Sequence, residues 1–403
     1  MELYLQMGHG MQAMMQELIK VWGKGNAIIS PVNFKTPNND SIKTLSNKII
    51  ASGGNVFFDP QMFYPKEGHT KLQAYDYWPA SGVSITSEEG HRVINQELLR
   101  INNEISSSEI ILPGIEMKES QLNYGLQWMA QSSTYFREKS SKPLLATLCL
   151  YPETIRDSNT IENLAESLKT MPVQGYYIIP HPSNNEYIVS DPSWIIGILK
   201  LITCLKLAKK KVVVGYSNHQ SLVYALAGAD GIASGTYMNT RSFVPSKFKS
   251  PKDDDIKHKS TWYYLPSAFS EYKAALLDVA KQRGYLDIFA PQGEFSNEYS
   301  AMLFRGAQPS STNYNETNSF KHYLYCLNLQ CDMVTKSTYQ ETFDIYDFML
   351  NNAENQIREV KKKGMSGQNR DFAPAIEANR IAMYANNEDY GLKLQLDWQS
   401  IHN

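Results

Sequence analysis

Four side chains able to move a proton or hold a metal stand directly after apolar, strand-like runs. They are His9 in Gly8-His9-Gly10, Asp59 in Asp59-Pro60-Gln61, His181 in Pro180-His181-Pro182 and His219 in Ser217-Asn218-His219. Asp59 follows Val56–Phe58, an apolar run that would desolvate its carboxyl, raise its pKa and suit it to proton transfer. The plain alternative is an Asp-Pro turn. His9 lies between glycines that leave its ring unshielded, and His181 between prolines that stiffen it. Together with His219 these groups could hold a divalent metal. The strand-one His-x-His pair common in barrel metallohydrolases is reduced here to one histidine, so the expectation is acid–base work by Asp59, His9 and His181 without metal or cofactor. Glu116 and Glu153 would suit glycoside chemistry as a carboxylate pair, but both lie a few residues past their strands and read more simply as surface glutamates at helix starts.

These residues need a scaffold that gathers strand ends. Strand-like runs are read at Leu3–Met7, Ala27–Ile29, Asn55–Phe58, Ile110–Leu112, Leu144–Leu150, Tyr176–Ile179, Val212–Val214 and Asp230–Ala233, with helical spacing between several of them. Eight such runs in about 240 residues fit a (β/α)8 barrel, whose chemistry sits at the carboxyl ends of the strands. An open doubly wound sheet is the rival, but no Gly-x-Gly-x-x-Gly turn follows the first strand. At the barrel end Ser30, Gln61, Tyr64, Tyr151, Ser217, Asn218, His219, Ser234, Asn239 and Arg241 become contact candidates. The irregular stretch 64–91, with Tyr64 and Trp78, reads as an aromatic lid.

From about residue 242 the character changes. The expected organisation is a barrel over 1–245, a Lys/Asp/Pro-rich linker over 246–262 and an α-helical C-terminal extension over 263–403. Helices are expected over Ser267–Arg283, Phe320–Leu329, Thr342–Lys363 and Ala375–Ala385. This extension would pack, self-associate or bind a protein partner. A net charge of -2 gives no global nucleic-acid signature. Cys149, Cys204, Cys326 and Cys331 lack zinc-site spacing and suit a reducing cytoplasm, and no secretory signal or membrane-length apolar run is seen.

Val212–Arg241 carries a family resemblance: Gly215 after a strand, Leu222-Val223 in a helix, Gly228-Ala229-Asp230 before the next strand, then Thr240-Arg241. With Gly175-Tyr176 upstream, residues from about 50 to 242 resemble tRNA-guanine transglycosylases, (β/α)8 enzymes that exchange guanine for a 7-deazaguanine base. The resemblance implies a base-reading, proton-handling role for Asp59, polar reading by His9, His181 and Asn218, and an anion contact for Arg241. It also implies a nucleobase, nucleoside or nucleic-acid substrate, and divergent relatives extend this to DNA modification and anti-phage defence. The family's nucleophilic aspartate would fall on Ala233, with Ser234 and Gly235 after it, and the family's cysteine-rich zinc segment has no counterpart. A catalytically silent barrel serving as a scaffold subunit, and a metal-dependent hydrolase, are the alternatives.

Overall fold

Runs of β-branched and aliphatic residues too short for helices become strands when both of their faces can be buried, and here they are. The computed structural model describes residues 1–35, 38–66, 69–79, 83–249 and 260–402. Its first part alternates β1 (Glu2–Gln6), α1 (Gln12–Trp22), β2 (Gly25–Ile29), α2 (Asn39–Ala51), β3 (Gly54–Phe58), α3 (Glu88–Glu104), β4 (Ile110–Ile111), β5 (Glu116–Met117), α4 (Leu122–Lys139), β6 (Leu144–Leu150), α5 (Pro152–Arg156), α6 (Ser158–Lys169), β7 (Gly175–Pro180), α7 (Pro192–Leu207), β8 (Lys211–Val214) and β9 (Gly231–Ser234). Asn38, Ser87, Asp157 and Asp191 begin α2, α3, α6 and α7 by accepting a backbone N–H on the side chain. A 3-10 segment, His219–Ala227, replaces the expected helix between β8 and β9.

All eight expected runs are strands, parallel throughout, in the order β3-β2-β1-β9-β8-β7-β6-β4, with β5 extending the pairing along β6. The sheet is strongly curled. Lys211 on β8 reaches Glu109 before β4 at 2.5 Å, and its Nζ lies 6.0 Å from the ring of Phe57 on β3. In a flat sheet β8 and β3 would lie about 19 Å apart at about 4.8 Å per strand. The two end strands approach through Ser108, whose N–H donates to the Val56 carbonyl at 2.9 Å.

Alternation assigns the two faces. Tyr4, Ile28, Phe57, Ile111, Leu145, Tyr177, Val213 and Ala233, one from each strand of the path, join a single inner cluster. Their neighbours, among them Leu5, Val56, Ala146, Ile178 and Val214, face the helices in a separate outer core. The inner aromatics require glycines opposite them. A Cβ on Gly215 would sit 2.5 Å from the Tyr177 hydroxyl, and one on Gly231 2.4 Å from the Tyr4 ring.

After β9 come α8 (Met238–Arg241), a hairpin of β10 (Trp262–Leu265) and β11 (Ser270–Lys273), then α9 (Ala274–Gln282), α10 (Glu298–Ala301), α11 (Glu316–Val334), α12 (Tyr339–Lys362) and α13 (Ala373–His402). The helix expected over Ser267–Arg283 is therefore corrected: its first residues pair as β11, because Tyr272 and Ser270 oppose Tyr263 and Leu265 across the hairpin. Of the expected linker over 246–262, residues 250–259 lie outside the described residues, and Trp262 already belongs to β10. The outer core runs unbroken into α11, α12 and α13, and Asn386 and Tyr390 of α13 meet Thr203 and Cys204 of α7. No described helix is long and apolar enough to cross a membrane.

A buried ionic cluster joins the two parts. Arg241, just past β9, is 3.2 Å from Glu271 of β11, which also takes Arg370 at 2.8 Å. Tyr187 donates to the same carboxylate at 2.9 Å. Burial alone would raise the Glu271 pKa, but the two guanidiniums overcome it and hold the carboxyl below its ordinary value. Glu271→Gln leaves the buried Arg241 and the partly buried Arg370 without their counter-charge. Urea unfolding should show a loss of about 3–5 kcal/mol, and a loss within experimental error of zero would refute this role.

Candidate functional site

The carboxyl end of β3 turns sharply at Gln61, which adopts the left-handed backbone conformation (φ 55°) uncommon for a non-glycine residue. This turn folds Asp59 inward until none of it is exposed. Its Oδ1 accepts the Gln61 N–H at 3.0 Å, and its Oδ2 accepts the Tyr216 hydroxyl at 3.1 Å. Tyr216, after β8, is also left-handed (φ 51°) and accepts the Gln61 amide at 3.0 Å, closing a triangle across the mouth of the curled sheet. Beneath it Tyr177 donates to Gln6 at 2.7 Å, and Gln6 donates to Ser30 at 2.9 Å. Burial pushes the Asp59 carboxyl up to about 7, against the opposing hydrogen bonds from Gln61 and Tyr216. A carboxyl so poised is half protonated at neutral pH and can act in either direction as acid or base.

Aromatic rings roof this network. Phe243 and Phe248 stack at 5.2 Å, Phe63 meets both edge-on, and Tyr216 meets both at 5.2 and 5.7 Å. In the stretch 64–91 expected as a lid, Tyr75 and Tyr77 are buried in the outer core and donate to the carbonyls of Pro31 and Pro60, and α3 begins at Glu88. Trp78 packs half-buried against the outer core. Residues 67–68 and 80–82 of that stretch lie outside the described residues.

His181 is buried beside this roof. Its Nε2 lies 3.3 Å from the Cys149 Sγ and 3.4 Å from the Tyr64 hydroxyl, and its ring packs on Tyr151 and Phe243. Burial first, then Lys249 and Lys118, push its pKa down to about 3, so the imidazole is neutral. The Cys149 thiol is raised well above its ordinary value by burial and by the Glu116 and Asp59 carboxylates. A thiolate–imidazolium pair is thus disfavoured, and the cysteine is not an activated nucleophile. Burial and Glu116 raise the Tyr151 phenol to about 12. Contrary to the surface reading, Glu116 belongs to β5 and is only 14% exposed. It lines a cleft of about 270 Å³ with Tyr64, Lys66, Lys118 and Tyr124. Lys249 lies 4.4 Å over the Tyr64 ring and Lys118 4.7 Å over that of Tyr151. The rim of the mouth is therefore aromatic and basic. Glu153 sits apart in α5.

The remaining candidates lie elsewhere. His9 is exposed in the turn before α1 and makes no hydrogen bond among the described residues. Ser217 bonds the Val214 carbonyl, and Asn218 caps the 3-10 segment while donating to the Tyr187 and Arg241 carbonyls. His219, Ser234 and Arg241 face the C-terminal region. Arg241 lies 3.4 Å over the Tyr323 ring within its ionic cluster, so its charge is met by Glu271. Ser234 is buried with its hydroxyl unpartnered, and Asn239 is half-buried in α8. His219 packs among Tyr264, Tyr323 and Phe372, with both ring nitrogens buried and unpartnered. Among the described residues no three His, Cys, Asp or Glu side chains gather as a metal site.

Structure thus brings together Asp59, Gln61, Tyr64, Tyr151 and His181, and adds Gln6, Tyr177, Tyr216, Cys149 and the three phenylalanines. The polar signal for Gln6 and Tyr177 was present as inward positions in otherwise apolar strands, whereas Phe243 and Phe248 carried no sequence signal that ties them to the mouth.

The titrations give two opposite pH dependences. Asp59 has a folded pKa raised to about 7, so its stabilising contribution is full below about 4 and is lost as pH rises to about 7. Asp59→Asn should remove on the order of 4 kcal/mol of that pH-dependent decline; chemical denaturation across this range with an unchanged slope would contradict it. Burial lowers the His219 pKa to about 4, so stability is lost as pH falls from about 6.5 to about 4. His219→Phe should resist acid better than the wild type in thermal melts, and equal acid sensitivity would count against it. No protein-family model matches the chain, and no curated protein matches it significantly.

Proposed function

We propose that the curled sheet is a closed (β/α)8 barrel of transglycosylase-like type, and that its carboxyl end acts on a nucleobase or on an N-glycosidic bond. The observation that carries this reading is Asp59: a fully buried carboxyl with a pKa of about 7, aimed at a mouth of stacking rings. Its shared proton lets it donate to a ring nitrogen or accept from an exocyclic amine. Flat rings with one polar edge suit a base taken out of its stack. The Lys66, Lys118 and Lys249 rim suits the phosphates of a nucleotide or nucleic acid. Nucleic-acid modification, including in antiviral defence, is the setting that the transglycosylase-like reading implies. The four unpaired cysteines accord with a reducing cytoplasm.

The chemistry assigned to Asp59 is general acid–base catalysis: it protonates the departing base as the C1'–N bond breaks and then takes a proton from the incoming water or free nucleobase as the new bond to C1' forms. Where the resembling enzymes hold a nucleophilic aspartate, this chain has Ala233, Ser234 and Gly235. A covalent glycosyl intermediate on β9 is therefore not part of the proposal. The Phe243 and Phe248 rings must part from Tyr216 to admit a base.

A second reading, a silent barrel acting as a binding or scaffold subunit, has its own observation. Asp59 lines none of the principal cavities, and the most voluminous of these, about 720 Å³, lies in the C-terminal region. The experiment incubates the protein with nucleosides, DNA and tRNA and separates released or exchanged bases chromatographically. Asp59→Asn should lower turnover by at least about 100-fold. Turnover unaffected by this substitution removes Asp59 from the mechanism, and no base release or exchange by the wild type on any of the three substrates favours the scaffold reading.

A further inference from the structure

The 720 Å³ cavity is a groove between the 266–269 turn, the 287–295 loop and one face of α11 and α12. Its floor is apolar: Phe269 is 2% exposed and Met349 7%, and Ile288, Phe295 and Met333 continue it. At one side stands Phe348, 64% exposed, the most exposed phenylalanine among the described residues. The walls are held in place from behind. Gln356 of α12 donates to the Ile288 carbonyl at 2.6 Å, and Gln330 of α11 donates to the Pro266 carbonyl at 3.1 Å. A groove pinned in this way binds with little ordering cost.

Its charge is one-sided. Asp287, Glu294 and Glu359 line it, and no lysine or arginine does. Asp287 and Glu294 make no ion pair among the described residues, while Glu359 pairs with Lys362 on its own helix. The chain as a whole carries a net charge of only -2, so the carboxylate rim is a local feature rather than a reflection of overall acidity. An apolar trough with a carboxylate rim complements a segment that carries hydrophobic anchors flanked by ammonium or guanidinium groups.

We infer that this groove docks a short apolar segment of a protein partner bearing Lys or Arg beside its hydrophobic anchor. The inference rests on the partner-binding reading of the C-terminal region and names its surface; it is independent of the chemistry at Asp59. Phe348 is the expected hot spot, because a partner side chain would bury an aromatic ring that water now covers. The carboxylates select the sign of the partner's charge.

The test uses the full chain and fluorescence anisotropy with two short labelled amphipathic peptides, one of Leu, Phe and Lys, the other with Glu in place of Lys. The basic peptide should bind at least about tenfold tighter than the acidic one, and less tightly as salt is raised. Phe348→Asp should weaken it about tenfold, and the double substitution Asp287→Lys with Glu294→Lys should reverse the preference between the peptides. These residues are exposed, so thermal melts should match the wild type. Leu392→Asp, on the exposed face of α13 (Leu392 is 72% exposed), should change nothing. Equal binding of both peptides, or binding indifferent to Phe348→Asp and to the charge reversal, overturns the inference. Binding abolished by Leu392→Asp moves the partner to α13, which overturns the groove but keeps the partner-binding reading. A dimer in sedimentation that Phe348→Asp dissolves gives the groove to a second copy and also overturns it.

Discussion

One carboxylate that must not lose its partners organises the junction on which the rest depends. Glu271 is 3% exposed and lies between Arg241 and Arg370. Arg241 in turn is fixed by the Gly235 carbonyl at the end of β9 and by the face of Tyr323 on α11. Buried charges are tolerated only when paired and hydrogen-bonded, so the hairpin β10–β11, the α11 helix and the end of β9 can be placed in essentially one arrangement. That arrangement positions Asn218, whose amide bonds the Arg241 carbonyl, and with it the turn that sends Tyr216 across the mouth to Asp59. An arginine that looks like an anion reader in the sequence is here a structural cation.

The same low-dielectric interior explains the electrostatics of the mouth. Closely packed rings leave little polar compensation, so burial dominates every titration there: Asp59 moves up, His181 moves down and the Cys149 thiol moves up. The result is a neutral His181 and Cys149 beside a half-protonated Asp59, with the charges of Lys118 and Lys249 held on aromatic faces. The C-terminal groove is the opposite case: its carboxylates stay at the solvent-facing rim and its apolar floor is open.

The sequence by itself determined the eight strands and their direction. Short aliphatic runs alternating with amphipathic segments leave a parallel sheet as the arrangement that buries both faces, whereas right-handed connections are common to a barrel and a doubly wound sheet, so the order of strands came from the structure. For Asp59 the apolar run Val56–Phe58 pointed to a desolvated carboxyl but left an Asp-Pro turn open, and the turn at Gln61 is what buries it. Local pattern misled where two elements share few residues. Ser267–Arg283 has helical spacing, yet its first part pairs as β11, since cross-strand burial against β10 outweighs local preference.

Only the tertiary structure decided which strand ends meet. Asp59 and Tyr216 are 157 residues apart and His181 and Tyr64 are 117 apart, and no local signal specifies either pairing. The curl of the sheet specifies them, and it depends on the volumes of Tyr4, Phe57 and Tyr177 matched to Gly231 and Gly215. The separation of His9 and His219 from Asp59 has the same origin. A residue's place at a strand end is local, whereas the direction it faces is set by what the rest of the chain packs against it, and for His219 that is Tyr264, Tyr323 and Phe372.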